Sequence, residues 1–184
     1  MIGVLAFHGD VIEHIRALGR VNSISVRTKE ELKKCRALII PGGESTTLYT
    51  LCEREGMWED IKKVPAIFGT CAGAIMLAKK ILHKAPGQKT LELMDITIDR
   101  NAYGRQTESF EKSITTVLGK LNAIFIRAPK IISVGKNVRV IAKDGGNILA
   151  CEEKVGNQYF LAASFHPELT TTMFHEYFLR KVAV

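Results

Sequence analysis

The sequence predicts an α/β domain in three layers, α/β/α, built on a mostly parallel central sheet, and three observations carry that prediction. Short apolar runs recur through the first half, each ending at a glycine, proline or small-residue turn and each followed by apolar residues at helical spacing. The runs are continuous rather than alternating, as expected of strands buried on both faces. The composition, 46% hydrophobic and 24% charged over 184 residues, suits one globular domain with a real core.

Ile2 to Phe7 is nearly all apolar and stops at His8-Gly9-Asp10, which reads as the first strand. A helix should follow, with Val11, Ile12, Ile15 and Leu18 as its buried stripe, Asp10 as its N-cap and Gly19 closing it. Ser23 to Arg27 alternates as a short strand, Lys29 to Lys34 reads as a charged helix, and Ala37 to Ile40 is an apolar strand ending at Pro41-Gly42-Gly43. The next helix spans Ser45 to Glu55 and buries Leu48, Leu51 and Cys52, with Ser45 as a capping candidate. Pro65 to Thr70 is the following strand, and a helix from Ala72 to Leu82 continues from it. Short strands then dominate: Ser113 to Val117, Ala123 to Arg127, Ile131 to Val134, Val138 to Ala142, Asn147 to Cys151 and Tyr159 to Ser164. Asp144-Gly145-Gly146 is a hairpin turn signal, and Thr172 to Val182 forms a closing helix with Met173, Phe174, Tyr177 and Phe178 inward. Neither a repeat nor a linker interrupts this order, so residues 1–184 are read as a single domain.

Charge and cysteine content narrow the function classes. Twenty-six Lys and Arg against nineteen Asp and Glu leave a net charge of +7, suited to a polyanion or an acidic protein partner. The basic residues are dispersed and form no stripe interleaved with aromatics, which weighs against an RNA-binding module. Cys35, Cys52, Cys71 and Cys151 form no Cys-x-x-Cys pair, so neither a zinc site nor a disulfide framework is expected, and no cofactor is implied. The start of the chain has no basic leader, and no apolar run approaches the ~18 residues of a membrane span, so the expected setting is the reducing cytoplasm.

Three segments carry chemistry. Gly69-Thr70-Cys71-Ala72-Gly73 lies where a strand turns into a helix and has the form of a nucleophile elbow with Cys in place of Ser. Small neighbours let the tight turn leave the sulfur at a helix N-terminus, where the dipole favours a thiolate and free N–H groups can hold an oxyanion. Taken alone, the pentapeptide also fits a core cysteine beside packing glycines. A cysteine nucleophile needs a base and the base an orienting group. Phe165-His166-Pro167-Glu168 offers both, because His166 follows an apolar strand and Glu168 can reach back across a rigid Pro. His8, His14, His83 and His175 lack such company, and His14 and His175 are expected to be partly solvated helix side chains. The third segment, Pro41-Gly42-Gly43-Glu44-Ser45-Thr46, puts a glycine pair at a strand end, where backbone N–H groups can face a ligand; it lacks the Lys of a phosphate loop, so an oxyanion donor is the better reading.

These motifs together resemble those of the class I glutamine amidotransferases, whose fold is flavodoxin-like. Within them the segment Arg100-Asn101-Ala102-Tyr103-Gly104-Arg105-Gln106 resembles the glutaminase subunits of pyridoxal 5'-phosphate synthases, as do Gly3 to Ala6, Ile39 to Thr47, Glu108 to Glu111, Ile126 to Pro129 and Ser164 to Thr170. The resemblance implies Cys71 as nucleophile, His166 and Glu168 as its relay pair, Gly43 and Ala72 as oxyanion donors, and glutamine contacts from Gly43, Glu44, Ser45, Arg100, Ile126 and Arg127. It further implies L-glutamine as substrate and, as partner, a synthase subunit built as a (β/α)8 barrel that forms rings and receives the ammonia. Docking would then complete the oxyanion hole by reorienting the Gly42-Gly43 peptide. The glutaminase of another amidotransferase, such as imidazole glycerol phosphate synthase, would share the triad but lack the segment from Arg100 to Gln106. Five positions depart from the family pattern: Phe7-His8 stands for a customary Leu-Gln, Glu92 for a Gly, and Thr171 and Thr172 for an acidic and a basic residue.

Overall fold

The structure is a computed structural model and describes residues 1–100 and 109–182. The first half runs β1 (Ile2–Leu5), α1 (Val11–Ala17), β2 (Ser23–Val26), α2 (Lys29–Leu32), β3 (Ala37–Ile40), α3 (Ser45–Arg54), α4 (Trp58–Ile61), β4 (Ala66–Thr70) and α5 (Ala72–Leu77). Strands then dominate, with β5 (Ala78–Leu82), β6 (Met94–Asp99), β7 (Ser109–Thr116), β8 (Gly119–Ile126), β9 (Lys130–Val134), β10 (Arg139–Asp144), β11 (Asn147–Val155) and β12 (Gln158–Ala163). A 3-10 turn, Pro167–Leu169, and the helix α6 (Met173–Val182) complete the described chain.

Strands β2, β1, β3, β4 and β12 lie side by side in that order, all parallel, and form the centre of the sheet. From β12 the sheet continues antiparallel through β11, β10, β7 and β8, while β5, β6 and β9 branch from β11. Strands β1, β3 and β4 are buried on both faces along their whole length, whereas β2 forms the edge. Leu38 and Ile40 enter one core with Leu5, Ile67 and Phe160, whereas Ile39 enters the other with Val4, Phe68 and Leu161. Helices α3, α4 and α5 supply Leu48, Cys52, Trp58, Ile61 and Ile75 to the first core; α1 and α6 supply Leu18, Phe174, Tyr177 and Phe178 to the second. Each such side chain contributes roughly 1.5–3 kcal/mol on burial, so the three layers follow from the continuous apolar runs.

Several expectations need correction. Ile12 is 59% exposed, and the inward stripe of α1 is instead Val11, His14, Ile15 and Leu18, at strict helical spacing. The helix expected from Ala72 to Leu82 stops at Leu77, and Ala78–Leu82 becomes β5, paired in parallel with β6. Ladder pairing there overrides the helical preference of Ala, Lys and Leu. Strand β6 itself was not expected, although Met94, Ile96 and Ile98 are buried at every second position. The hairpin at Asp144-Gly145-Gly146 joins β10 to β11 with Asp144 opposite Asn147, as expected. No helix among the described residues is long and apolar enough to cross a membrane.

Parallel strands put their carboxyl ends on one edge. The segments that leave β1, β3, β4 and β12 there carry His8 to Asp10, Pro41 to Glu44, Cys71 and His166 respectively.

Candidate active site

Cys71 joins β4 to α5 with φ 50° and ψ −106°, a conformation that costs an L-residue about 1–3 kcal/mol and is held by its surroundings. Its N–H donates to the Ala163 carbonyl at 2.8 Å, which ties the turn to the end of β12. A Cβ on Gly69 would lie 2.5 Å from the Gly73 carbonyl carbon, and one on Gly73 would strike the Ile40 carbonyl oxygen. The flanking glycines are therefore steric requirements of the elbow. The thiol is 6% exposed and its Sγ lies 3.9 Å from the Ile126 carbonyl oxygen. Burial pushes the thiols of Cys52 and Cys151 up to about 12, which makes them poor nucleophiles.

His166 leaves the end of β12, whose Ala163 is in register with Thr70 of β4, so imidazole and thiol meet at one edge. Its backbone N–H donates to the Ile124 carbonyl at 2.9 Å, fixing the loop against β8. The 3-10 turn starting at Pro167 brings Glu168 back, and His166 Nδ1 lies 2.8 Å from Glu168 Oε1. That bond leaves Nε2 for the sulfur side. Nε2 forms no hydrogen bond among the described residues, although a Cβ on Gly42 would lie 3.2 Å from it and 3.3 Å from Cys71 Cβ. Burial disfavours the imidazolium, but the adjacent Cys71 and Glu168 outweigh it and raise the His166 pKa to about 10. Burial likewise disfavours the Glu168 carboxylate, yet His14 and His166 beside it bring its pKa down to about 2. Both shifts favour a charged pair, imidazolium on carboxylate.

A cavity of about 360 Å³ opens over these groups. It is lined by Cys71, Ala72, His166, Gly43, Glu44, Ser45, Arg100, Ile126 and Arg127, so every residue expected at the site reaches it except Glu168, which stands behind His166. Its size suits a small metabolite such as an amino acid. Gly43 has φ 120°, and the His8 ring occupies the space its Cβ would fill. Arg127 is exposed and also has positive φ, 45°. A shallower groove of about 630 Å³ behind Glu168 is lined by Glu13, Arg16 and Thr170 to Thr172 and includes neither Cys71 nor His166.

Several details differ from the sequence reading. The N-cap of α3 is Glu44 rather than Ser45: its carboxylate accepts from Thr46 N and Thr47 N, and these bonds, opposed by partial burial, hold its pKa below the usual range. The same carboxylate accepts from Arg100 Nη2 at 2.6 Å, so Glu44 and Arg100 engage each other. Ser45 Oγ instead accepts from the buried Gln88, whose Oε1 accepts from Arg100 at 2.8 Å; Gln88 had no signal in the sequence, because the loop that carries it is polar and irregular. Asp10 sits at the N-cap position of α1 but makes no capping bond, and its Oδ2 lies 3.3 Å from His166 Nδ1. His14 and His175, expected to be partly solvated, are fully buried and in contact. His83 pairs with Asp99 at 2.8 Å on the surface. Asn101 to Gln106, with Glu108, lie outside the described residues.

A glutamine amidotransferase of known crystal structure superposes on the whole chain with a TM-score of 0.89 at 43% identity and is itself 99% covered. Two relatives of similar length are each named pyridoxal 5'-phosphate synthase subunit PdxT. The one from Acidothermus cellulolyticus is 44% identical, covering 99% of this chain and 93% of its own. That from Pseudothermotoga lettingae is 46% identical, covering 100% and 96%. Residues 4–184 match the SNO glutamine amidotransferase family, and the chain belongs to it.

Proposed function

We propose that the chain is the glutaminase subunit of a pyridoxal 5'-phosphate synthase, hydrolysing L-glutamine to L-glutamate and ammonia and passing the ammonia to a synthase subunit. The observation that carries this reading is the meeting of an elbow cysteine, a histidine–glutamate pair and two arginines around one cavity of about 360 Å³. The names of its relatives supply the pathway.

The Cys71 thiolate attacks the side-chain amide carbon of glutamine. Backbone N–H groups of Gly43 and Ala72 receive the developing oxyanion, each worth about 3 kcal/mol. His166, protonated on Nε2, gives that proton to the departing nitrogen, and ammonia leaves as the thioester forms. Water then attacks the thioester, His166 takes its proton, and glutamate departs with the sulfur regenerated. Glu168 holds the ring orientation and stabilises the imidazolium throughout. Arg100 and Arg127 recognise the α-carboxylate, Glu44 positions Arg100 and faces the α-ammonium, and Ser45 and Ile126 complete the wall. Residues 1–184 act as one glutaminase domain, whose partner is a ring-forming (β/α)8 barrel that combines the ammonia with a pentose phosphate and a triose phosphate. Docking of that partner turns the Gly42-Gly43 peptide into the oxyanion hole. A thiol nucleophile works where it stays reduced, so the reaction belongs to the cytoplasm.

The test is glutamate release from glutamine by the chain alone and with the synthase subunit. Strong stimulation by the partner is expected, and Cys71→Ala should lower the rate in the complex by about 10³-fold or more. A folded complex that releases no glutamate, or a Cys71→Ala complex at full rate, overturns the reading.

A further inference from the structure

Behind the carboxylate of Glu168 the fold encloses two more histidines. His14 on α1 and His175 on α6 are both 0% exposed. His14 Nδ1 lies 2.8 Å from His175 Nε2. His14 Nε2 lies 3.4 Å from Glu168 Oε1, the oxygen that also meets His166, and 3.2 Å from the hydroxyl of Thr70, the residue before the nucleophile. His14 does not line the substrate cavity.

The hydrogen positions follow from one orphaned atom. His175 Nδ1 is buried and has no hydrogen-bond partner among the described residues. A bare lone pair is cheaper to bury there than an N–H without an acceptor. The proton of His175 therefore sits on Nε2 and points at His14 Nδ1, which accepts it. His14 must then carry its own proton on Nε2, donated to Thr70 Oγ1 with Glu168 Oε1 beside it at 3.4 Å. Burial, with His14 beside it, holds the His175 pKa at about 3, so His175 stays neutral. The titratable and charged groups around Glu168 are then His14 from α1, His175 from α6, His166 from its own loop and Asp10 from the segment after β1, with Glu13 and Arg16 of α1 lining the groove on its other side.

We propose that His14 is a positioning residue of this site, resting on the glutaminase reading above: its Nε2–H, bonded to Thr70 Oγ1, turns the positive edge of the ring to the Glu168 carboxylate at 3.4 Å, and His175 sets the tautomer that puts the proton there. Glu168 Oε2 has no hydrogen-bond partner among the described residues, so the orientation of the carboxylate rests on what meets Oε1. Because the same imidazole touches Thr70, the relay carboxylate and the strand that presents the nucleophile are held by one side chain.

Two measurements test this. In the complex with the synthase subunit, His14→Leu removes the donor, while His14→Gln offers an amide N–H near the position of Nε2. His14→Leu should lower kcat about tenfold or more with KM for glutamine within about twofold, and move the acid limb of the kcat profile to higher pH. His14→Gln should recover most of both. Equal losses in the two variants, or an unmoved acid limb, overturn the proposal. Should either variant fail to fold, ¹⁵N–¹H correlation of the unsubstituted chain decides it: protons on Nε2 of both His14 and His175 are expected, and a proton on His14 Nδ1 overturns it. An unsubstituted complex that releases no glutamate overturns the glutaminase reading and this role with it, whereas an active one with the wrong tautomer overturns the role alone.

Discussion

At Glu92 the backbone has φ 58°, a left-handed conformation that favours glycine, and glycine is what the family resemblance leads one to expect there. The side chain is exposed and makes no compensating hydrogen bond among those described. Glu92→Gly should therefore raise stability by about 1 kcal/mol, the relief of left-handed strain less the extra entropy of an unfolded glycine. A urea midpoint unchanged or lowered by the substitution would refute that account. Cys71, His166 and Glu168 were legible because each sits in a short segment whose neighbours declare its geometry: small residues around an elbow, a Pro between base and carboxylate. His14 and His175 were not, since their contact spans 161 positions and both lie in helices where an unpaired histidine reads as solvated. Glu44 was legible as a site residue but not as the cap of α3, because Ser45 has the more familiar capping side chain.

Among the elements, α5 shows how the elbow depends on what packs over it. All six of its residues, Ala72 to Leu77, are buried, so this short helix has no solvent face and is held by its place in the core rather than by its length. Gly73 lies against the carbonyl of Ile40 at the end of β3. Gly73→Ala should thus cost about 3 kcal/mol or prevent folding, while Gly146→Ala, with nothing near its Cβ position, should stay within about 0.5 kcal/mol. Similar denaturation midpoints for the two variants would refute the packing argument. The central strands β1, β3 and β4 were readable to within two residues because continuous apolar runs mark strands buried on both faces. The change from helix to strand at Ala78 was not, since Ala78-Lys79-Lys80-Ile81-Leu82 has helical propensity and no period of two, and its partner β6 lies beyond a loop.

For the molecule as a whole, the pair at the site is also a stability device. The Glu168 pKa is about 2 in the folded chain against 4.5 as its ordinary value. A depressed carboxylate contributes stability that is complete above the unfolded value and is lost as pH falls toward the folded one. Between pH ~5 and pH ~3 wild type should lose about 2 kcal/mol more than Glu168→Gln, read from urea midpoints at the two pH values. Parallel pH dependence in the two proteins would show that Glu168 is not so stabilised. The overall architecture was legible from the alternation of runs and helical segments, whereas the branching of β5, β6 and β9 from β11 depends on pairings between distant segments that no local pattern states. One feature of that architecture bears on the birth of the protein. The last of the described strands in sequence, β12, is not added at an edge but inserted between β4 and β11, and it carries His166 to the side of Cys71. On the glutaminase reading, a nascent chain that has not yet placed β12 has a thiol without its imidazole and is expected to release no glutamate.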